Sequence, residues 1–190
     1  MVNEYECTVV SDGSLSLRVG SWHITVVITS QGVSEINFLE WPANSTLNVR
    51  NSDSEPSGIP LLVPDGNEMG SPLEFRKLVE TKISGYLSGM VPHCPLPVDL
   101  TGATTFQRRV YQAAQMIPYG SQATYGWVAS KIGQASSYRA VGQALGCNPV
   151  PVLVPCHRVV ARDGLGGFSG GLDLKRALLR LEGWKEDLDR

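Results

Sequence analysis

The apolar residues of this chain change their spacing part-way along, and that change limits the folds open to it. Between residues 15 and 39 they recur broadly at every second position, and from residue 71 onward they recur at helical spacing. Trp22-His23-Ile24-Thr25-Val26 alternates cleanly, and Gln31-Gly32 supplies a turn, so strands are expected at Leu15 to Gly20, Trp22 to Ser30 and Val33 to Leu39. Residues Pro42 to Asn67, rich in Ser, Asn, Pro, Asp and Gly, read as a long surface loop. Ser71-Pro72 with Glu74 forms a capping box for a helix running to about Leu87. Its expected apolar face is Leu73, Leu78 and Ile83 with Phe75, Val79 and Tyr86.

Three prolines between Gly89 and Gly102 mark a linker. Beyond it Thr104 or Thr105 starts a helix built on Phe106, Val110, Ala113, Ala114 and Ile117, which Pro118-Tyr119-Gly120 ends. Thr124 starts a second helix, with Trp127, Val128 and Ile132 inward and Gly133 closing it. A third runs from about Ser137 to Cys147. Two short helices joined by a tight turn predict a helix-turn-helix. Leu174, Leu178 and Leu181 form the stripe of a last helix that Gly183 stops. The fold class is α+β, with an N-terminal domain at 1–101 (linker from about 89) and a mostly helical C-terminal domain at 102–190.

Charge follows the same division. Residues 1–101 carry 5 Lys/Arg against 12 Asp/Glu, and residues 102–190 carry 11 against 6. A basic half joined to an acidic one points to polyanion contact on the second. A 42% hydrophobic content with no long apolar run argues for a real core and against a membrane span. The acidic first residues lack a signal-peptide pattern. Four cysteines (Cys7, Cys94, Cys147, Cys156) are too sparse for a disulfide scaffold, so an intracellular compartment, cytoplasmic or nuclear, is expected. Cys7, His23, His93 and Cys94 are zinc-type residues at scattered spacing, and no metal is assigned to them.

The chemistry concentrates in Val154-Pro155-Cys156-His157-Arg158-Val159-Val160. Val152, Leu153 and Val154 read as a buried strand that Pro155 stops, which sets Cys156 at a strand end or tight corner. A lone cysteine in an apolar run is usually packing; here His157 and Arg158 stand beside it and can favour a thiolate. On the third helix Ala140, Gly142, Ala144 and Gly146 with Arg139 suit close approach to a DNA groove, and equally suit tight helix packing. The five glycines between Asp163 and Gly171, around Phe168-Ser169, can wrap a small planar ligand.

Together these motifs closely resemble the O6-alkylguanine-DNA alkyltransferases, also called methylated-DNA–protein-cysteine methyltransferases. The resemblance rests on Asn148-Pro149 with the 154–160 heptad. Residues Phe106 to Val110, Pro118-Tyr119-Gly120, Tyr125, Arg139-Ala140-Val141-Gly142, 167–171 and Leu181-Glu182-Gly183 support it in the same order. It covers about residues 104–184. The strand and helix order before it fits the family's ribonuclease-H-like first domain.

The resemblance implies a single-turnover repair reaction that needs no cofactor. An O6-alkylguanine is flipped out of duplex DNA, and Cys156 takes the alkyl group by in-line displacement and keeps it as a thioether. O4-alkylthymine is an open second substrate. His157 is implied as general base acting through a water, Glu182 as its support, and Asn148 as the hinge to the recognition helix. Tyr125 is implied as donor to ring N3 and Ser169 as donor to O6. Carbonyls near Cys156 and Val159 would accept from the exocyclic amine, with Gly170 also lining the base site. Arg139 is implied as the finger that replaces the flipped base, and Tyr125, Gly126, Gln134 and Arg162 as lying near the DNA backbone. The expected partner is double-stranded DNA bound through its minor groove by a monomer. Phe168 departs from the tyrosine of many members. The rivals are a non-catalytic sensor of alkylated DNA, a cysteine hydrolase and a plain DNA-binding protein.

Overall fold

The computed structural model describes residues 5–10, 14–42 and 71–185, so the loop expected at 42–67 lies almost wholly outside the described residues. Four strands come first: β1 (Tyr5–Val9), β2 (Leu15–Val19), β3 (Trp22–Thr29) and β4 (Gly32–Glu40). They form an antiparallel sheet in sequence order, with Leu17 opposite Ile24 and Val26 opposite Ile36. Alternation has its expected effect. Leu15, Leu17 and Val19, with Ile24 and Val26, point to one face and are buried. β1 was not foreseen; it adds an edge along β2 from Tyr5 opposite Val19 to Val9 opposite Leu15.

Helix α1 (Pro72–Leu87) packs on that face. Ser71 Oγ accepts from the Glu74 N–H while the Glu74 carboxylate accepts from the Ser71 N–H, as the capping box required. Its buried stripe is Phe75, Val79, Ile83, Tyr86 and Leu87, each large apolar member contributing about 1.5–3 kcal/mol by burial. Leu73 and Leu78, expected inward, are 63% and 42% exposed. They lie off the 75–79–83 line, and a three-to-four spacing selects only one stripe.

The second half holds α2 (Thr105–Gln115), β5 (Ala123–Thr124), α3 (Tyr125–Lys131), α4 (Tyr138–Gly146), a 3₁₀ turn (Cys156–Arg158), β6 (Val159–Val160) and α5 (Leu172–Leu181). Thr104 caps α2 through a second capping box, and Thr124 caps α3. α2 packs against both α3 and α4, the two short helices expected of a helix-turn-helix. β5 and β6 pair in parallel, Ala123 with Val159 and Thr124 with Val160. One contiguous apolar core runs from the sheet through α1 into these helices. No described helix is long and apolar enough to cross a membrane.

Two expectations fail here. Residues 152–154 are a buried turn closed by a Pro151–Val154 bridge, not a strand, and Val152 has φ +77°. Pro149, Pro151 and Pro155 remove alternate ladder donors, and the apolar run is explained by burial alone. On α4, the small residues do not form one exposed face: Ala144 is buried, because a two-residue spacing winds around a helix.

The halves are joined by backbone. The Val33 N–H donates to Pro97 O and the Asp99 N–H to Val33 O, and Thr29 Oγ1 donates to the Asp99 carboxylate at 2.7 Å. The Ile36 N–H donates to Pro149 O, which ties β4 to the turn that carries the heptad. Gly32, at φ +140°, admits the 97–98 segment; a Cβ there would lie 2.5 Å from Pro97 O. Gly32→Ala is therefore expected to cost about 2 kcal/mol or more, read as a lowered midpoint in thermal unfolding.

Candidate active site

Cys156 opens the 3₁₀ turn with its side chain buried. The side-chain hydrogen bond that reaches Sγ comes from Asn148 Nδ2, at 3.0 Å, and not from the His157 ring. The same Nδ2 donates to Val154 O at 2.9 Å, and Asn148 Oδ1 accepts from the Val150 N–H. Three bonds thus fix the amide, and through it the end of α4 is tied to the thiol.

Burial pushes the thiol up to about 11, against partial help from Asn148 and Lys175. The side chains of His157 and Arg158 bond Glu182 rather than the sulfur, and what His157 gives the thiol is its backbone N–H. Burial outweighs that help, so the resting sulfur is a neutral thiol that needs a base.

The side chains of His157 and Arg158 turn into the core onto Glu182, the residue after α5. His157 Nε2 lies 2.9 Å from Glu182 Oε1. Arg158 donates from Nε to both carboxylate oxygens (3.1 and 2.9 Å) and from Nη2 to Oε1 (2.8 Å), and its Nη1 donates to Ile117 O. Gly120 N–H donates to Oε2 at 3.1 Å, and Tyr119 Oη donates to Leu181 O beside it. Gly120 sits at φ +71°, and a Cβ there would press on Glu182 O at 3.0 Å. That geometry accounts for the Pro118-Tyr119-Gly120 motif. Burial alone would raise the Glu182 carboxyl, but His157 and Arg158 outweigh it and hold the group well below the usual carboxylate range. Burial likewise holds His157 below its ordinary value, with Glu182 opposing. That direction favours the uncharged ring, and its buried Nδ1 has no hydrogen-bond partner among the described residues.

A groove of about 430 Å³ is lined by Asn148, the partner of the thiol, with Pro151, Phe168, Ser169, Gly170 and Leu174, and with Glu35 to Phe38 and Trp41 on the sheet side. Ser169 and Gly170 are exposed at its edge. Tyr125 Oη donates to Gly167 O at 3.1 Å, which places the ring across the glycine loop. Val159 is buried, and its carbonyl accepts from Lys175 Nζ at 2.6 Å.

Lys175 was not foreseen. Set between Leu174 and Leu178, it reads in sequence as a solvated neighbour of the stripe, yet it is fully buried. Its ammonium also donates to Leu165 O and Gly167 O (2.5 and 3.3 Å), pinning the first half of the glycine loop. Burial lowers it to about 8.

The residues expected at DNA lie elsewhere on the surface. Arg139 is exposed near the start of α4, 5.9 Å from the Tyr138 ring. Gln134 is exposed in the turn before α4, where its Oε1 accepts from Ser137 Oγ. Arg162 is exposed after β6, and Gly126 lies half-buried in the first turn of α3. The structure gathers Cys156, His157, Asn148 and Glu182 in one buried cluster, and leaves Arg139, Gln134 and Arg162 at the surface. Among the described residues no three His, Cys, Asp or Glu side chains converge as a metal would require.

Comparison with known proteins bears on this arrangement. The family model described as the DNA binding domain of 6-O-methylguanine DNA methyltransferase matches residues 105–184. The methylated-DNA–protein-cysteine methyltransferase of Mycolicibacterium paratuberculosis is 45% identical over 113 residues, 59% of this chain and 67% of that protein. Its Mycobacterium bovis counterpart is 45% identical over 102 residues, 53% of this chain and 61% of that protein. The chain thus spans about three-fifths to two-thirds of those relatives. The crystal structure of Mycobacterium tuberculosis OGT in complex with DNA superposes with a TM-score of 0.63 at 30% identity, covering 94% of this chain and 91% of that one.

A buried neutral thiol makes a chemical prediction. Iodoacetamide labelling of Cys156, followed peptide by peptide by mass spectrometry, should keep rising roughly tenfold per pH unit from about pH 7 to pH 10. A rate already level near 9.0, the ordinary thiol value, would contradict the burial assignment.

Proposed function

Because the chain belongs to the methylated-DNA–protein-cysteine methyltransferase family, we propose that it repairs DNA by moving the alkyl group of an O6-alkylguanine onto its own Cys156. The observation that carries this reading is the buried thiol. It is held by Asn148, which lines a groove large enough for a modified base, and is followed directly by the His157–Glu182 pair.

The atoms balance without a cofactor. The Cys156 S–H proton passes through one bridging water to His157 Nδ1, the ring atom with no partner among the described residues. Sγ forms a bond to the alkyl carbon as the C–O6 bond breaks, and the electron pair leaves with guanine. Tyr125 gives its proton to the departing base at N3, with Ser169 donating to O6, and the proton held by His157 returns through solvent to the tyrosinate. Tyr125 must then exchange its present partner, Gly167 O, for the base. The Val159 carbonyl, already aligned by Lys175, faces the exocyclic amine. Glu182 cannot take the proton itself, because Arg158 and the Gly120 N–H hold it as a carboxylate; it steadies the imidazolium instead. The thioether has no hydrolytic exit, so each molecule reacts once.

DNA binds on this reading through its minor groove against α3 and α4. Arg139 enters the stack in place of the flipped base, and Gly126, Gln134 and Arg162 lie along the backbone. Residues 102–190 form the DNA-binding and transfer domain, and residues 1–101 the supporting one. On this reading the protein acts as a monomer.

Intact-protein mass spectrometry after incubation with a duplex bearing one O6-methylguanine should show one added methyl per chain, mapping to Cys156. Cys156→Ala should take up none while keeping its affinity for the duplex. Arg139→Ala should transfer about tenfold or more slowly, equivalent to ~1.4 kcal/mol of lost support for the extrahelical base. Tight binding without any added mass would move the protein to the damage-sensor class.

A further inference from the structure

The N-terminal half reads in sequence as scaffold, yet one of its side chains enters the buried cluster. Tyr86, in the last turn of α1, is 1% exposed, and its ring meets Tyr119 edge-on with centroids 6.1 Å apart. Its hydroxyl lies 2.6 Å from Glu182 Oε1 and 3.4 Å from His157 Nε2. Packing explains the ring. It does not explain a hydroxyl placed between the two members of the proton-handling pair.

A phenol has one proton, so it can donate to only one of these neighbours. The carboxylate is the stronger acceptor and the nearer atom. With the hydroxyl proton committed to Oε1, the contact between Oε1 and His157 Nε2 requires a proton on Nε2. The Nδ1 atom is then bare and able to accept.

We propose that Tyr86 is a positioning residue of the transfer reaction: its hydroxyl donates to Glu182 Oε1 and thereby holds His157 as the Nε2-protonated tautomer, with Nδ1 open toward the Cys156 proton. The inference rests on the alkyl-transfer reading and adds a contribution from α1 to it. Tyr86 also takes up part of the charge on Oε1, so the carboxylate attracts an imidazolium less strongly and His157 stays neutral at working pH. Burial and the adjacent Glu182 keep the phenol itself protonated. The other titratable groups acting on this pair are His93 from the segment after α1, Tyr119, Arg158 from the 3₁₀ turn and Lys175 from α5.

The test is Tyr86→Phe, which keeps the ring and removes the hydroxyl. Single-turnover methyl transfer from an O6-methylguanine duplex should slow roughly three- to tenfold at neutral pH, with lesion-duplex affinity unchanged. The acid limb of the pH–rate profile should move to higher pH, because an uncompensated Glu182 raises His157. Wild-type rate with an unmoved profile would overturn the proposal. So would a rate loss matched by lost duplex affinity with an unmoved profile, since that pattern belongs to a structural role. A readout independent of the variant's folding is the ¹⁵N spectrum of the wild-type histidine rings: His157 should carry its proton on Nε2 at neutral pH, and a proton on Nδ1 would overturn the assignment. Wild-type protein that accepts no methyl would overturn the reaction itself, and this role with it.

Discussion

The molecule depends on a carboxylate kept ionised where water does not reach. Taking Glu182 out of solvent costs several kcal/mol unless its oxygens find enough donors. The donors arrive from separate stretches of chain: Tyr86 on α1, the Gly120 N–H after α2, and His157 and Arg158 on the 3₁₀ turn. None of these stretches reaches the others by local structure. Satisfying one side chain therefore fixes the relative placement of α1, the end of α2, the reacting turn and α5. Removing any donor leaves a buried charge short of partners, which costs more than the lost bond.

The thiol presents the complementary problem. A sulfur held at about 11 is inert to most electrophiles at neutral pH, and its protection comes from the same burial that isolates Glu182. Asn148 gives the sulfur a donor without ionising it. Reactivity is thus conditional on an acceptor being ready at His157 and on a substrate filling the groove. For a protein whose nucleophile is consumed by one event, a quiet resting state limits waste.

Much of this was legible in the residues. The capping box at Ser71 marked the start of α1 to the residue, and the choice of Thr104 or Thr105 marked that of α2 to within one, because an N-cap is a local hydrogen-bond pattern. Alternation placed β2 to β4 within a residue or two. Of the residues picked out, Asn148 bonds Cys156 and His157 bonds Glu182. What escaped is what tertiary context decides. The 152–154 run has strand-like composition, but prolines around it remove the ladder and burial alone explains its apolar character. Lys175 looked like a surface charge beside a leucine stripe; three loop carbonyls give its ammonium a reason to be inside. Tyr86 looked like any core aromatic, since nothing in its neighbours announces where a hydroxyl will point.

The two-rung pairing of β5 with β6 has a further bearing on tolerance. Thr124, the last residue of β5, pairs with Val160, and α3 begins at the next residue with Tyr125; Cys156 lies three residues before Val159 on the other strand. The separation between the ring that overhangs the glycine loop and the sulfur is therefore gauged by backbone rungs, with almost no slack on either side. Insertions or deletions that leave this gauge undisturbed can fall just after Val160, in the stretch 161–164, before Lys175 pins the chain at Leu165 and Gly167. Length variation there can reshape the rim of the groove while the span from Tyr125 to Cys156 stays constant.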